Sequence, residues 1–157
     1  MLKVLLENNR SIRFKVIKAV YEKLTIQEGT EQYVSKTISD AQTVYALFSF
    51  LQQETKEHFI ALHLDVKNRI LCIDRVSAGT MTGSLIHPRE VFKTALLSSA
   101  ASVLLIHNHP SGDPTPSRDD ISITEKLKGA GEMIGIAVLD HVIIGDGYVS
   151  LKEKGYL

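Results

Sequence analysis

The sequence predicts an α/β fold in which a mixed sheet is flanked by helices, and three observations carry that reading. Segments whose apolar residues recur at helical spacing alternate along the chain with short apolar runs of strand length. Two of those runs, His58–Leu64 and Arg69–Val76, are separated only by Asp65-Val-Lys-Asn68, the pattern of a hairpin. Another, Val103-Leu-Leu-Ile106, is apolar throughout, as suits a central strand covered on both faces.

The elements follow in order. Ser11–Ile17 alternates apolar and polar residues, with Ile12, Phe14 and Val16 on one side, which is the period of a half-buried strand. Residues 18–38 are less periodic. Either Ser39 or Asp40 can cap a helix whose apolar positions Ala41, Val44, Leu47, Phe48 and Leu51 run to about Leu51. After the hairpin, Pro88 suits the first turn of a helix, and Val91, Phe92, Ala95, Leu96 and Ser99 continue one face to about Ala101. The Val103–Ile106 strand leads into Pro110-Ser-Gly-Asp-Pro-Thr-Pro116, which stops regular structure before Ser117 opens a helix through Leu127. Ile136–Leu139 and His141–Ile144 supply further strand, and Gly145-Asp146-Gly147 turns into a short last strand near Tyr148-Val149. There is no internal repeat and no low-complexity tract.

The 157 residues suit one globular domain, and an apolar fraction of 44% with 23% charged residues is ordinary soluble usage. Eighteen basic and 18 acidic residues cancel, so no net field draws the chain to nucleic acid or to an anionic membrane. Cys72 is the only cysteine, which excludes an internal disulfide and any cysteine-rich zinc cluster. The apolar run in Met1–Glu7 is too short for a signal peptide, and no later run approaches a membrane span. The expected location is cytoplasmic.

The informative segment is His107-Asn-His-Pro-Ser-Gly-Asp-Pro-Thr-Pro-Ser-Arg-Asp-Asp120. Histidines two residues apart at the end of an extended segment point to the same face, so His107 and His109 can converge on one ion. Three prolines and a glycine turn the chain back, and Asp120, in the first turn of the next helix, can supply a third ligand. Three protein ligands leave a tetrahedral position open for water, as in catalytic rather than structural zinc sites. A plainer reading holds for two of these residues, since Ser117 and Asp120 also form a variant capping box at the helix start.

The array His107-x-His109-x7-Ser117-x2-Asp120 resembles the JAMM signature of the JAB/MPN metalloproteases, and the string HNHPSGDPTPS resembles their bacterial RadC-like branch. Glu57–Asp65, His87–Val91 and Leu139–Tyr148 agree with that branch, so the resemblance covers roughly residues 38–157 and leaves residues 1–37 as an N-terminal extension with a strand. It implies a sheet flanked by helices, related to the cytidine-deaminase-like architecture, with one zinc at the end of the central strand. It further implies that Glu57 accepts a proton from zinc-bound water and passes it to the leaving amine, and that Ser117 hydrogen-bonds the developing oxyanion. Glu54 and Glu90 compete with Glu57 for the first role.

Other polar residues have plainer explanations. Asp140 and His141 read as a structural hydrogen-bonded pair, Cys72 as a small core residue, and His58, His63 and His87 as isolated. Ser111, Gly112 and Asp113 shape the loop, with Ser111 near enough in sequence to line the site.

The resulting expectation is a zinc-dependent hydrolase, a metallopeptidase or isopeptidase acting on an unidentified peptide or protein. The letters His-Asn-His do not make an HNH nuclease, whose named residues are dispersed, and the Pro-Cys-x-x-Cys pair of zinc deaminases is missing. The alternative is a RadC-like DNA-repair accessory protein. Longer relatives carry a helix-hairpin-helix region for which this chain has no room before residue 38, which weakens that reading. A non-catalytic scaffold ranks last, because every signature ligand is present.

Overall fold

The computed structural model describes residues 37–79 and 86–157. The strand expected over Ser11–Ile17 lies outside the described residues. Helix α1 (Ala41–Phe48) is capped by Asp40, whose carboxylate accepts the Thr43 N–H at 2.7 Å. The chain then tightens into a 3-10 turn over Ser49–Gln53 that still buries Leu51, so the helical spacing up to Leu51 is shared between two helix types.

Strands β1 (Glu57–Leu64) and β2 (Ile70–Gly79) form the expected antiparallel hairpin. Asp65 organises its turn by accepting the N–H groups of Lys67 and Arg69 at 2.8 and 2.9 Å. Helix α2 (Pro88–Leu97) precedes β3 (Ser102–Asn108), and α3 (Arg118–Ile134) precedes β4 (Ala137–Gly145) and β5 (Gly147–Ser150). The sheet order is β2-β1-β3-β4-β5, with only the β3–β4 pair parallel. The sheet is therefore mixed, with β3 buried along its whole length.

Alternation along β1 and β3 divides the core into two layers. Phe59, Ala61, Val103 and Leu105 pack beneath Val91, Phe92 and Ala95 of α2 and Ile123 and Leu127 of α3. Ile60, Leu62, Leu104 and Ile106 face the other way, against Val44, Phe48 and Leu51. Each fully buried side chain of this size contributes about 1.5–3 kcal/mol relative to exposure.

Three boundaries differ from the sequence expectation. Helix α2 ends at Leu97 rather than near Ala101, because Ser99 takes a left-handed φ of 55° and Ala100 bonds back to the Ala95 carbonyl, freeing the chain to enter β3. Helix α3 continues past Leu127 to Ile134. Its glycines do not break it: at Gly131 a side chain would strike the Ile136 carbonyl and the Phe92 ring, so the bare backbone allows a close approach. The left-handed Gly135 (φ 76°) then ends the helix.

The third difference lies in the strand expected over residues 136–139 and 141–144, which starts at Ala137 and runs through Asp140 as the single strand β4. Val103 pairs with Val138 and Leu104 with Asp140, so Leu139 is an extra residue, a β-bulge. Val138 packs on the α2/α3 layer and Val142 on the α1 layer, although strict alternation would put both on one face. The bulge thereby turns His141 toward α3. Asp140 and His141 are hydrogen-bonded, through the His141 backbone: the Asp140 carboxylate accepts the His141 N–H at 2.7 Å, together with the Ser150 hydroxyl at 2.6 Å and the Lys152 N–H, while the His141 ring packs against Phe59 and His107.

Candidate metal centre

His107 is near the end of the central strand β3, and His109 follows it in the first loop position. Strand alternation puts both rings on one side, where they meet edge to face with centroids 4.6 Å apart. The loop after them is pinned to the β4–β5 turn. His109 N–H donates to the Ile144 carbonyl at 2.8 Å, and the Asp146 N–H donates to the Gly112 carbonyl. Gly112 needs its missing side chain here, since its φ is 86° and a Cβ would come within 2.9 Å of the Asp146 carboxylate.

The chain returns through Ser117, the N-cap of α3. Its hydroxyl accepts the Asp120 N–H at 3.1 Å, while the Asp120 carboxylate accepts the Ser117 N–H at 2.7 Å and the Ser117 O–H at 2.6 Å. This complete capping box fixes the Asp120 rotamer. It presents Oδ1 at 3.4 Å from His107 Nδ1 and Oδ2 at 3.4 Å from His109 Nε2.

One ligand atom from each of His107, His109 and Asp120 lies within 4.8 Å of the others, spacing that suits one metal ion. The protonation states suit it as well. The Nδ1 of His109 is 2.7 Å from the Asp113 carbonyl and must donate to it, so Nε2 is the nitrogen turned to Asp120; it hydrogen-bonds that carboxylate here and would offer its lone pair to a metal on losing its proton. His107 Nδ1 is buried without a hydrogen-bond partner, as a vacant ligand nitrogen would be. Burial lowers the His107 pKa to about 4, against the pull of Asp120 and with help from His109, so this ring is neutral near pH 7. His109 is raised, chiefly by its hydrogen bond with Asp120 and against burial. Burial pushes Asp120 upward, but the hydrogen bonds from His109 and Ser117 and the charge of His107 outweigh it and hold the carboxyl well below the usual range.

A cleft of about 140 Å³ opens on this triad, lined also by the polar Glu57, Ser117 and Asp119 and the apolar Ile86 and Ile123. Glu57 stands at the first position of β1 and adds a negative charge that raises the His109 pKa. Its two competitors are elsewhere. Glu54 pairs with His58 at 3.4 Å, and Glu90 pairs with Lys93 and Arg89 on the exposed face of α2. Ser111 does not line the cleft; its hydroxyl lies 3.4 Å from the Asp113 N–H. His63 is fully buried, its Nδ1 within 3.0 Å of both Ser98 Oγ and Cys72 Sγ, and Cys72 is half-buried rather than a core residue.

Two residues of the surroundings, Asn108 and Thr124, escaped the sequence reading, and His141 reads there only as a partner of Asp140. Asn108, between the two histidines, points the opposite way and is wholly buried. Its Oδ1 accepts the His58 N–H at 2.7 Å and its amide donates to the Leu51 and Lys56 carbonyls at 3.2 and 3.1 Å, which fixes the chain on either side of Glu57. Strand alternation at His-x-His was the available signal, since the middle residue must face the opposite layer. Thr124 and His141, both buried, meet beneath the triad at 2.6 Å. Nothing in the sequence marks that pair, because the bulge that aligns it is a property of the sheet.

The RadC-like JAB domain family matches residues 38–156. A UPF0758 protein of Methanosarcina acetivorans is 51% identical over 143 residues, covering 90% of this chain and 62% of the relative. One from Methanococcoides burtonii is 56% identical over 78% of this chain and 54% of its own length. One from Caldanaerobacter subterraneus is 47% identical over 90% and 64% respectively. The chain thus spans less than two thirds of the relatives it matches. Among the described residues no helix is long and apolar enough to cross a membrane.

Proposed function

Since the chain belongs to the RadC-like JAB domain family, we propose that it is a zinc-dependent hydrolase, a metallopeptidase or isopeptidase that cleaves an amide bond with water. The observation that carries the proposal is the convergence of His107, His109 and Asp120 at a cleft that Glu57 and Ser117 also line. Two imidazoles and one carboxylate form a donor set that suits zinc. Bound there, zinc would supply Lewis acidity, lowering the pKa of a coordinated water to about 7 and polarising the carbonyl under attack.

The chain's own residues do the rest. Glu57 takes a proton from the attacking water and delivers it to the departing amine, a role for a carboxylate at the wall of the same cleft. Ser117 caps α3 and holds Asp120 through its hydroxyl. When the carbonyl oxygen becomes an oxyanion, the same hydroxyl turns its proton to it. Ile86 and Ile123 add apolar surface to the lining of the cleft, which limits water around the reacting groups. The substrate is a peptide or protein. With basic and acidic residues balanced at 18 each, binding to DNA should be no tighter than the micromolar range at physiological salt.

The test is elemental analysis of protein purified without chelators, followed by turnover on a quenched-fluorescent peptide library. One zinc per chain and cleavage that Glu57→Gln slows by about a hundredfold or more, with zinc retained, is the expected result. Loss of zinc in Glu57→Gln would make Glu57 a ligand. Full activity in that variant would remove it from the mechanism.

A further inference from the structure

His141 and Thr124 form a buried link between β4 and the start of α3. The Thr124 hydroxyl donates to the Asp120 carbonyl one turn back, an ordinary bond for a helical threonine. Its proton is thereby spent, so at the 2.6 Å contact with His141 Nδ1 the hydroxyl can only accept. The proton of His141 is therefore on Nδ1. Nε2 is left as a bare lone pair, buried and without a partner. The ring it belongs to is held edge-on to Phe59 at 5.4 Å and lies 5.7 Å from the His107 ring.

Two features separate this arrangement from routine packing. An apolar residue in place of His141 would fill the space without orphaning a ring nitrogen, and an unsatisfied buried polar atom is destabilising. The β-bulge at Leu139 is also what brings His141 to this face. One buried ring thus touches the layer of His107 and, through a single hydroxyl, the backbone of Asp120, the two ligands that come from different elements.

We propose that Thr124 and His141 are positioning residues that set the register between β3 and α3, holding Asp120 against His107 in the geometry that a metal ion requires. The inference rests on the metal-site reading above. Outer partners of metal ligands typically alter affinity by about 10–100-fold when removed, and this link is placed to do so.

The experiment titrates zinc and cobalt(II) into metal-free wild type, Thr124→Val, Thr124→Ser and His141→Asn, each checked for folding by circular dichroism. Thr124→Val keeps the shape and deletes the hydroxyl; it should weaken zinc binding about tenfold or more and change the cobalt absorption bands. Thr124→Ser restores the hydroxyl and should return both toward wild type. His141→Asn keeps a side-chain N–H donor and should fall between them. If Thr124→Val is too unstable to fold, the comparison of Thr124→Ser and His141→Asn with wild type carries the test. Folded Thr124→Val, or in its absence His141→Asn, with wild-type zinc affinity and cobalt spectrum overturns the proposal. A wild type that binds neither metal instead overturns the metal-site reading on which it rests.

Discussion

The side-chain oxygen of Asn108 accepts the backbone N–H of His58 at 2.7 Å, so the residue between the two candidate ligands is tied to the residue that follows Glu57. The strand that carries the candidate ligands and the candidate base are thus positioned by one buried amide.

Asn108→Ala removes all three of its hydrogen bonds in a buried setting, and each orphaned group costs about 1–3 kcal/mol. A loss of about 3 kcal/mol in denaturant titrations is expected. Asn108→Asp keeps the acceptor toward His58 but brings a carboxylate against the Leu51 and Lys56 carbonyls, and should be no more stable than the alanine variant.

The ligand substitutions should differ in kind. His107→Ala and His109→Ala each delete a nitrogen donor and should lose most of the zinc in elemental analysis. Asp120→Asn keeps a carbonyl oxygen and should retain part of it, while weakening the capping box that now accepts from Ser117 twice.

Acid should destabilise the metal-free protein. Burial lowers His107 to about 4 and His141 to about 3 from the ordinary 6.5, so between these values the unfolded chain binds protons that the folded chain refuses. Stability therefore falls as pH drops below 6.5, since every tenfold loss of proton affinity on folding is equivalent to about 1.4 kcal/mol. His109, raised by Asp120, works oppositely: its contribution is full below 6.5 and is lost as pH rises through its folded value. Asp120 adds to the acid loss below 3.8. Urea midpoints from pH 7 to pH 4 should decline in wild type, and a flat profile would contradict these two buried neutral rings.

Two glycines of α3 should respond with opposite sign. Gly129→Ala meets no atom within 4 Å and should gain up to about 1 kcal/mol of helix propensity. Gly131→Ala gains the same propensity but drives a methyl into the Ile136 carbonyl and the Phe92 ring, and overpacking of this kind costs about 1–3 kcal/mol. Thermal melts should show Gly129→Ala at or above wild type and Gly131→Ala below it.

The sequence by itself determined the class of fold, the hairpin, the central strand and the candidate ligands, because those are written in local patterns: two apolar runs on either side of a short polar turn in β1 and β2, an unbroken apolar run in β3, and a rigid loop between His109 and a helix cap at Ser117. What it could not determine depended on contacts between elements. Glu54, Glu57 and Glu90 are locally alike, and only the folded chain brings Glu57 to the cleft, leaving Glu54 beside the buried His58 and Glu90 beside Lys93 on the surface. The sequence pattern ends the last helix at Leu127, whereas in the fold it continues past Gly131, whose bare backbone lies close to Phe92 and Ile136. His141 reads as the neighbour of Asp140 until the bulge at Leu139, set by pairing with β3, reverses the strand's faces and turns that ring toward Thr124 and His107.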